Sequence, residues 1–148
     1  ARGTLVGNTY PWGNTIGGGD ANYRGSGDPF DDGTTPAGYY DGGQVPAGED
    51  RANGYGLYDM AGNVWEIVAD RYHPKAYTLR MDGAINPTGP DTDSLGRLRQ
   101  RLPTYVTRGG SFLCSDVWCS GYQPGSRQAQ ENDSPSHHTG FRCVKDVD

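Results

Sequence analysis

The stretch that decides the fold runs from Val106 to Tyr122 and reads VTRGGSFLCSDVWCSGY. It contains two of the three cysteines in the chain, Cys114 and Cys119, with four residues between them. Two thiols so close in sequence can bind a soft metal ion, form a disulfide or pack in a core. Each outcome implies a different protein, so the functional interpretation depends on this stretch.

The composition predicts a folded domain that is rich in loops. The 148 residues suffice for one domain with a modest core. Glycine and proline number 24 and 10, roughly double their ordinary combined share. Aromatic residues make up 11% of the chain, whereas disordered chains are poor in them. We therefore expect a mixed, loop-rich α+β domain whose core depends on aromatic rings and which a metal ion or a disulfide helps to stabilise.

Charge and hydrophobicity exclude two classes of partner. The formal net charge is −5, and no basic run exceeds Arg97 to Arg101, so nucleic acid is not an expected partner. No apolar run approaches the roughly 18 residues that a membrane-spanning helix needs. Neither feature assigns a compartment, so cytoplasmic and extracytoplasmic locations, periplasmic or secreted, both stay open. The odd number of cysteines means that at least one is free, bound to metal or paired outside the chain.

The segment from Gly17 to Gly48 is dense in Gly, Asp, Asn and Pro and shows neither helical nor strand periodicity. A loop of this length inside a compact domain requires something that holds it. Several of its side chains offer oxygen atoms suited to a hard cation such as Ca²⁺: Asp20, Asn22, Asp28, Asp31 and Asp32. From the residues alone, a solvated acidic loop is the simpler interpretation.

A second informative segment runs from Asn53 to Asp70, NGYGLYDMAGNVWEIVAD, and ends in a β-prone run, Val64 to Val68. Asp59, Asn63 and Glu66 lie in one tight segment around Gly62, where a glycine lets the backbone curl and bring oxygen atoms toward one ion. The same residues would also suit an ordinary turn.

Two further segments predict strands: Val106 to Leu113, which a double glycine interrupts, and Thr139 to Val144. Arg71 to Thr104 contains four prolines and predicts a connection, and Gln123 to Thr139 predicts a polar, irregular segment. No amphipathic helix is predicted.

Four motifs together resemble one known family. In chain order they are ARGTLVGNTYPWGN, NGYGLYDMAGNVWE, RGGSFLCSDVWC and TGFRC, and they are similar to segments of the formylglycine-generating enzyme (sulfatase-modifying factor) family. The resemblance covers residues 1–148 as a single domain that matches the C-terminal part of the family's domain, without its N-terminal portion. It implies the formylglycine-generating variety of the C-type-lectin-like fold, which has little regular secondary structure.

The resemblance also implies an activity. Such enzymes use O2 to oxidise a cysteine, within a Cys-x-Pro-x-Arg peptide of a sulfatase, to Cα-formylglycine. The match places their Cu(I) ligands at Cys114 and Cys119, and thiolates are the ligands that select Cu(I). Ser111 matches a serine near the oxygen pocket. Three further residues match positions in or beside the substrate pocket: Trp65, Trp118 and Arg127. The implied partner is a protein or peptide that contains a cysteine.

Two structural calcium sites follow from the same resemblance. The first would use Asp59, Glu66 and the carbonyl groups of Gly62 and Val64. The second would use a set from the Gly-rich loop, with Asp31 or Asp32 as substitutes because the spacing changes after its last member: Asn22, Asp28 and the carbonyl groups of Tyr23 and Phe30.

The chain departs from the family pattern at several positions. Some members have a disulfide between the positions of Ala1 and Pro124, and both cysteines are absent from this chain. Cys143 matches a cysteine that bridges to a partner before position 1, so we expect it to be free unless such a segment supplies that partner. Small residues stand where typical enzymes have bulkier or charged ones, a difference that bears on substrate recognition: Ser115, Ser120 and Gly121.

The residues by themselves leave copper, a structural disulfide and simple packing open for Cys114 and Cys119. Structural zinc is disfavoured because it needs four ligands and the chain has no second cysteine pair. With the resemblance, copper is the favoured interpretation. Two functions from different classes remain: a copper-dependent oxidase, and a non-catalytic binding or structural subunit with the same fold. In the second, another chain of a larger assembly would supply the missing N-terminal portion.

Overall fold

The computed structural model describes residues 7–30, 33–79, 88–89, 104–115, 118–131 and 133–144. In these ranges four strands and one short helix follow in the order β1 (Trp65–Arg71), α1 (Ala76–Leu79), β2 (Thr104–Arg108), β3 (Gln128–Glu131) and β4 (Thr139–Phe141). Turns and loops make up the rest of the described chain. The prediction of a mixed, loop-rich α+β domain is therefore confirmed.

The strands form one mixed sheet in the order β3-β2-β1-β4. β2 runs antiparallel to both β1 and β3, whereas β4 runs parallel to β1 with Trp65 opposite Thr139. The Trp65 N–H also donates to the carbonyl of His138, 2.8 Å away, at the start of this parallel pair. β1 therefore lies inside the sheet, and its pairing with β4 fixes the position of Trp65 at the core.

The predicted strands are present with different ends. The β-prone run at Val64–Val68 lies within and just before β1, and the strand expected from Val106 becomes β2, which already ends at Arg108. It ends there because Gly109 and Gly110 have positive φ values of 92° and 73°, which continue no strand. β4 ends at Phe141 rather than at Val144.

β3 corrects the prediction for residues 123–139, which were expected to be irregular throughout. Its sequence, QAQE, has no β-branched or aromatic residue and therefore gives no local strand signal. The strand forms because it pairs with β2 over four residue pairs, from Thr104 with Glu131 to Thr107 with Gln128. Much of the connection from Arg71 to Thr104 lies outside the described residues, and its described part contains α1.

The core depends on aromatic rings, as the composition predicted. Its buried members are Tyr10, Ala61, Trp65, Cys114 and Tyr122. Tyr10 stacks on Tyr122 at 6.0 Å between ring centroids, and Tyr23 packs on the same ring at 5.8 Å. The cysteine pair therefore lies against this aromatic cluster, with Cys114 buried in it and Cys119 packed against it.

Hydrogen bonds within the protein hold the described part of the long Gly17–Gly48 loop. The Gln44 side chain donates to the carbonyls of Gly19 and Glu49, at 2.8 and 2.9 Å. Arg51 forms an ion pair with Asp20 at 2.6 Å. The requirement that something must fix so long a loop is met by these contacts, and the contribution of a calcium ion stays a prediction.

Candidate functional site

Cys114 and Cys119 come together in a tight loop after β2. Two backbone hydrogen bonds shape this loop: Cys114 N–H donates to the Ser111 carbonyl at 2.9 Å, and Cys119 N–H donates to the Ser115 carbonyl at 2.8 Å. The Cα atoms of the two cysteines are 4.9 Å apart, and their sulfur atoms are joined in a disulfide. Such proximity serves both a disulfide and, after reduction, a pair of thiolates on one soft ion.

Ser111 lies beside this pair, where the sequence placed it. Its side chain is fully buried, with 0% of its surface exposed. The Oγ atom is 4.0 Å from the Cys114 Sγ and accepts a hydrogen bond from the Leu113 N–H at 3.3 Å. The site therefore presents one fully buried hydroxyl next to the Cys114 sulfur atom.

The two tryptophans predicted near the site occupy opposite environments. Trp65 is buried in the core cluster with Cys114. Trp118 is 83% exposed, and its backbone N–H donates to the Ser115 Oγ at 3.3 Å. Cys114 is 3% exposed whereas Cys119 is only partly buried. A partner molecule can thus reach the sulfur pair from the side of Cys119 and Trp118.

Arg127 is part of a separate cluster. Its guanidinium stacks on Tyr72 and Tyr77, 5.1 and 4.7 Å from the ring centroids, and Nη2 donates to the His73 carbonyl at 2.7 Å. The cation–π contacts and this hydrogen bond hold the guanidinium group in place. These contacts give Arg127 a scaffold role between the segment after β1 and the start of β3. Its role in substrate binding stays a prediction.

Three members of the first predicted calcium set, Asp59, Val64 and Glu66, help to line a cavity of about 480 Å³. Gly62, the fourth member, is not among the residues that line it. Burial raises the pKa of Asp59, and the Gly38 N–H, which donates to Asp59 Oδ2 at 2.7 Å, partly offsets this effect. A cation in the cavity would stabilise the ionised carboxylate, so Asp59 fits a calcium ligand.

Glu66, the other carboxylate of this set, already has a strong partner. Both its oxygen atoms accept hydrogen bonds from Arg142, including 3.1 Å contacts from Nε, and Arg142 Nη2 also donates to the Tyr58 carbonyl at 3.0 Å. The hydrogen bond to Glu66 raises the pKa of Arg142. Calcium binding by Glu66 would therefore require that it share or release this arginine.

The second predicted calcium set lies in a loop closed by its own hydrogen bonds. Asp28 accepts from the Ser26 hydroxyl at 2.6 Å and from the Phe30 N–H at 3.0 Å. The carbonyls of Tyr23 and Phe30 accept from Ser26 and Gly33, and the Asn22 side-chain N–H donates to the Gly33 carbonyl at 2.8 Å. The members of the set lie in one loop. Most of their oxygen atoms already accept hydrogen bonds from other groups of the protein. The substitutes Asp31 and Asp32 lie outside the described residues.

Within the described ranges, no cluster of three or more His, Cys, Asp or Glu side chains could hold a metal ion. Both calcium sets would therefore depend on backbone or amide oxygen atoms as well. In the same ranges, no helix combines the length and apolar character needed to cross a bilayer.

Sequence reasoning did not foresee the partners of two residues that shape the site, Arg142 and Asn63. Arg142 lies in the TGFRC motif, but its partner Glu66 is 76 residues away. Asn63 connects three segments: its side chain bonds Thr35, its N–H donates to the Asn22 carbonyl, and its carbonyl accepts from Phe112 N–H. The residue type at 63 was noticeable beside Gly62, but its partners depend on the folded chain.

These features define a loop-rich α+β domain with a two-cysteine centre on an aromatic core. A family model described as sulfatase-modifying factor enzyme 1-like domain matches residues 1–147. The chain belongs to this family, which confirms the resemblance seen in its motifs.

The similar proteins include several named formylglycine-generating enzyme and one named as an inactive form. The formylglycine-generating enzyme of Thermomonospora curvata is 39% identical over 150 residues, covering 99% of this chain and 46% of that protein. The formylglycine-generating enzyme of Mus musculus is 32% identical, covering 98% and 36%. A Mus musculus protein named inactive C-alpha-formylglycine-generating enzyme 2 is 30% identical, covering 97% and 39%. This chain thus spans less than half the length of these relatives.

A solved structure shares the fold. Treponema denticola variable protein 1 superposes with a TM-score of 0.50 and 23% sequence identity, over 82% of this chain and 34% of that one.

Proposed function

We propose that this chain forms the cysteine-bearing part of a copper-dependent oxidase, which converts a cysteine of a sulfatase-type Cys-x-Pro-x-Arg peptide to Cα-formylglycine with O2. The observation that carries the proposal is the meeting of the Cys114 and Cys119 sulfur atoms beside the buried Ser111 hydroxyl. Relatives named formylglycine-generating enzyme support it. The proposal includes the C-type-lectin-like variety of the fold.

The donor set fits a Cu(I) ion once the disulfide is reduced. Two thiolates from Cys114 and Cys119 would hold the ion, because soft sulfur ligands select Cu(I). When bound, copper would supply a binding position for the substrate sulfur and a redox centre for O2. Overall, the reaction consumes the substrate thiol, O2 and two thiols of a reductant, and it yields the aldehyde, hydrogen sulfide, a disulfide and water.

The chain's own residues would bind and shield. Cys114 is buried, whereas Cys119 is partly exposed and would be the sulfur that the approaching peptide meets. The Trp65 ring limits access of water from the core side. The Ser111 hydroxyl can donate a hydrogen bond beside the Cys114 sulfur, and the exposed Trp118 offers the peptide an apolar surface.

An anaerobic titration of the reduced protein with Cu(I), against a competing chelator, tests the centre. We expect one equivalent to bind tightly and each of Cys114→Ser and Cys119→Ser to abolish binding. Cys143→Ser is the matched control, because Cys143 is free and exposed and should not contribute. Equal binding by wild type and both site variants would remove the copper proposal. If binding holds, a Cys-x-Pro-x-Arg peptide assay under O2 with a thiol reductant follows.

A non-catalytic binding or structural subunit is the second candidate. It draws support from the chain's 30% identity to a protein named as inactive. Copper binding without aldehyde formation in the peptide assay would favour this candidate.

The calcium part of the proposal has its own test. Ca²⁺ is expected to raise the melting temperature of the wild type, and Asp59→Asn and Asp28→Asn should each remove part of that increase. Asp133→Asn serves as a control, since Asp133 is exposed and belongs to neither set. An identical response of all four proteins would rule out both sites.

A further inference from the structure

Gly121 lies two residues after Cys119 and is buried beside the thiol centre, the pair formed by Cys114 and Cys119 once their disulfide is reduced. A Cβ atom at this position would overlap the outer carbons of the six-membered ring of Trp65 and would lie 2.9 Å from the Sγ of Cys119. Trp65 is itself 5% exposed and packed in the core, so its ring has no free space to enter. The structure therefore leaves no room for a side chain at position 121.

The requirement for glycine is spatial. The φ of Gly121 lies outside the left-handed region, so an alanine could adopt the same backbone conformation. Gly125, four residues further along the same loop, also has an ordinary φ, but nothing lies within 4 Å of a Cβ placed there. The two glycines thus differ in crowding and form a matched pair.

We infer that Gly121 is a positioning residue of the thiol centre: because it lacks a side chain, the Trp65 ring can lie against Cys119 and close the inner flank of its sulfur atom. The exposed Trp118, which directly precedes Cys119 in the chain, marks the outer flank, from which a substrate thiol would reach Cys119. The direction of approach rests on the proposed function, whereas the contact among Gly121, Trp65 and Cys119 does not.

The contact predicts a specific rescue. Alanine at position 121 must displace the Trp65 ring, the Cys119 sulfur atom or both. Phenylalanine at position 65 has a shorter ring and lacks the outer carbons that the new methyl group would overlap. Gly121→Ala should therefore disturb the centre, and Gly121→Ala combined with Trp65→Phe should restore it.

The experiment measures two properties of reduced protein in a Cys143→Ser background: the rate at which iodoacetamide alkylates Cys119, and the affinity for Cu(I). We expect Gly121→Ala to speed alkylation and to weaken Cu(I) binding, each about tenfold, in line with the cost of overpacking a core. For Gly125→Ala, both values should stay within about twofold of those of the parent, as for a surface substitution. In the double variant, both values should return most of the way to those of the parent.

Each result decides something. Parent-like values for Gly121→Ala, or a double variant no better than the single one, would overturn the inference. If Gly121→Ala fails to fold, as seen by circular dichroism, the double variant must fold, and its failure would also overturn the inference. If the parent binds no Cu(I), the proposed function fails, while the order of alkylation rates still tests the contact.

The direction of approach has a separate arm. Trp118→Ala on the outer flank should raise KM for a Cys-x-Pro-x-Arg peptide and leave kcat and the Cu(I) affinity nearly unchanged. An unchanged KM would show that the peptide does not enter past Trp118.

Discussion

Replacing Asn63 by alanine is expected to reduce the free energy of unfolding by about 3–8 kcal/mol. The Asn63 side chain makes two hydrogen bonds to buried Thr35: Oδ1 accepts from the backbone N–H at 3.1 Å, and Nδ2 donates to the carbonyl at 3.2 Å. Alanine leaves both backbone groups buried without these partners, and each such group costs about 1–3 kcal/mol. Asn63 also has a φ of 63°, a left-handed conformation that costs alanine about 1–2 kcal/mol.

Urea unfolding followed by circular dichroism and tryptophan fluorescence measures this loss. Asn63→Gly separates the two causes, because glycine adopts the left-handed conformation freely but makes no side-chain bond; it should be more stable than the alanine variant by about 1 kcal/mol. The control is Asn14→Ala, which removes an exposed bond to the Thr9 N–H and should cost under about 1 kcal/mol. An Asn63→Ala protein within about 1 kcal/mol of wild type would refute the reasoning.

Three further perturbations follow from the contacts of the described residues. Arg142→Met removes the hydrogen bonds to Glu66 and should lower the free energy of unfolding by about 2–3 kcal/mol; in urea unfolding, an unchanged midpoint would contradict this. Arg127→Lys keeps the charge but loses the planar stacking on two tyrosine rings. The free energy of unfolding should fall by about 1 kcal/mol, and the tyrosine signal in near-ultraviolet circular dichroism should weaken. Burial, with a smaller contribution from His137, lowers the pKa of His138. The unfolded state therefore takes up the proton first, so the contribution of His138 to stability is complete above about pH 6.5 and is lost as the pH falls through its lowered pKa. His138→Gln should reduce the change of the urea midpoint between pH 7.5 and 5.5. A midpoint that varies with pH as much as that of the wild type would argue against this.

Much of the candidate site was readable from the sequence because its signals are local. The cysteines are five positions apart, so a single loop brings them together. Ser111 was singled out by the family resemblance, and its hydroxyl lies 4.0 Å from the Cys114 sulfur atom. The strand at Trp65 carries valine and isoleucine, and the double glycine after Arg108 stops β2. The motifs around them also placed the chain in its family.

Other features depend on partners that lie far apart in the sequence. The pairing of Glu66 with Arg142 spans 76 residues, and the bonds between Thr35 and Asn63 span 28. Gly121 is one of 24 glycines, and only the folded chain shows that Trp65 occupies the space its side chain would need. No periodicity or turn signal records such a contact.

The sequence by itself determined the loop-rich class, the aromatic core, the cysteine pair and the family. It did so because turn residues, strand propensity and closely spaced motifs act within a few residues. Tertiary structure alone decided that the polar segment QAQE is a strand, that β4 runs parallel to β1 and that Arg127 stacks between tyrosines. In each case the free energy comes from hydrogen bonds or ring contacts with a distant segment, so the outcome depends on what the fold places beside each residue.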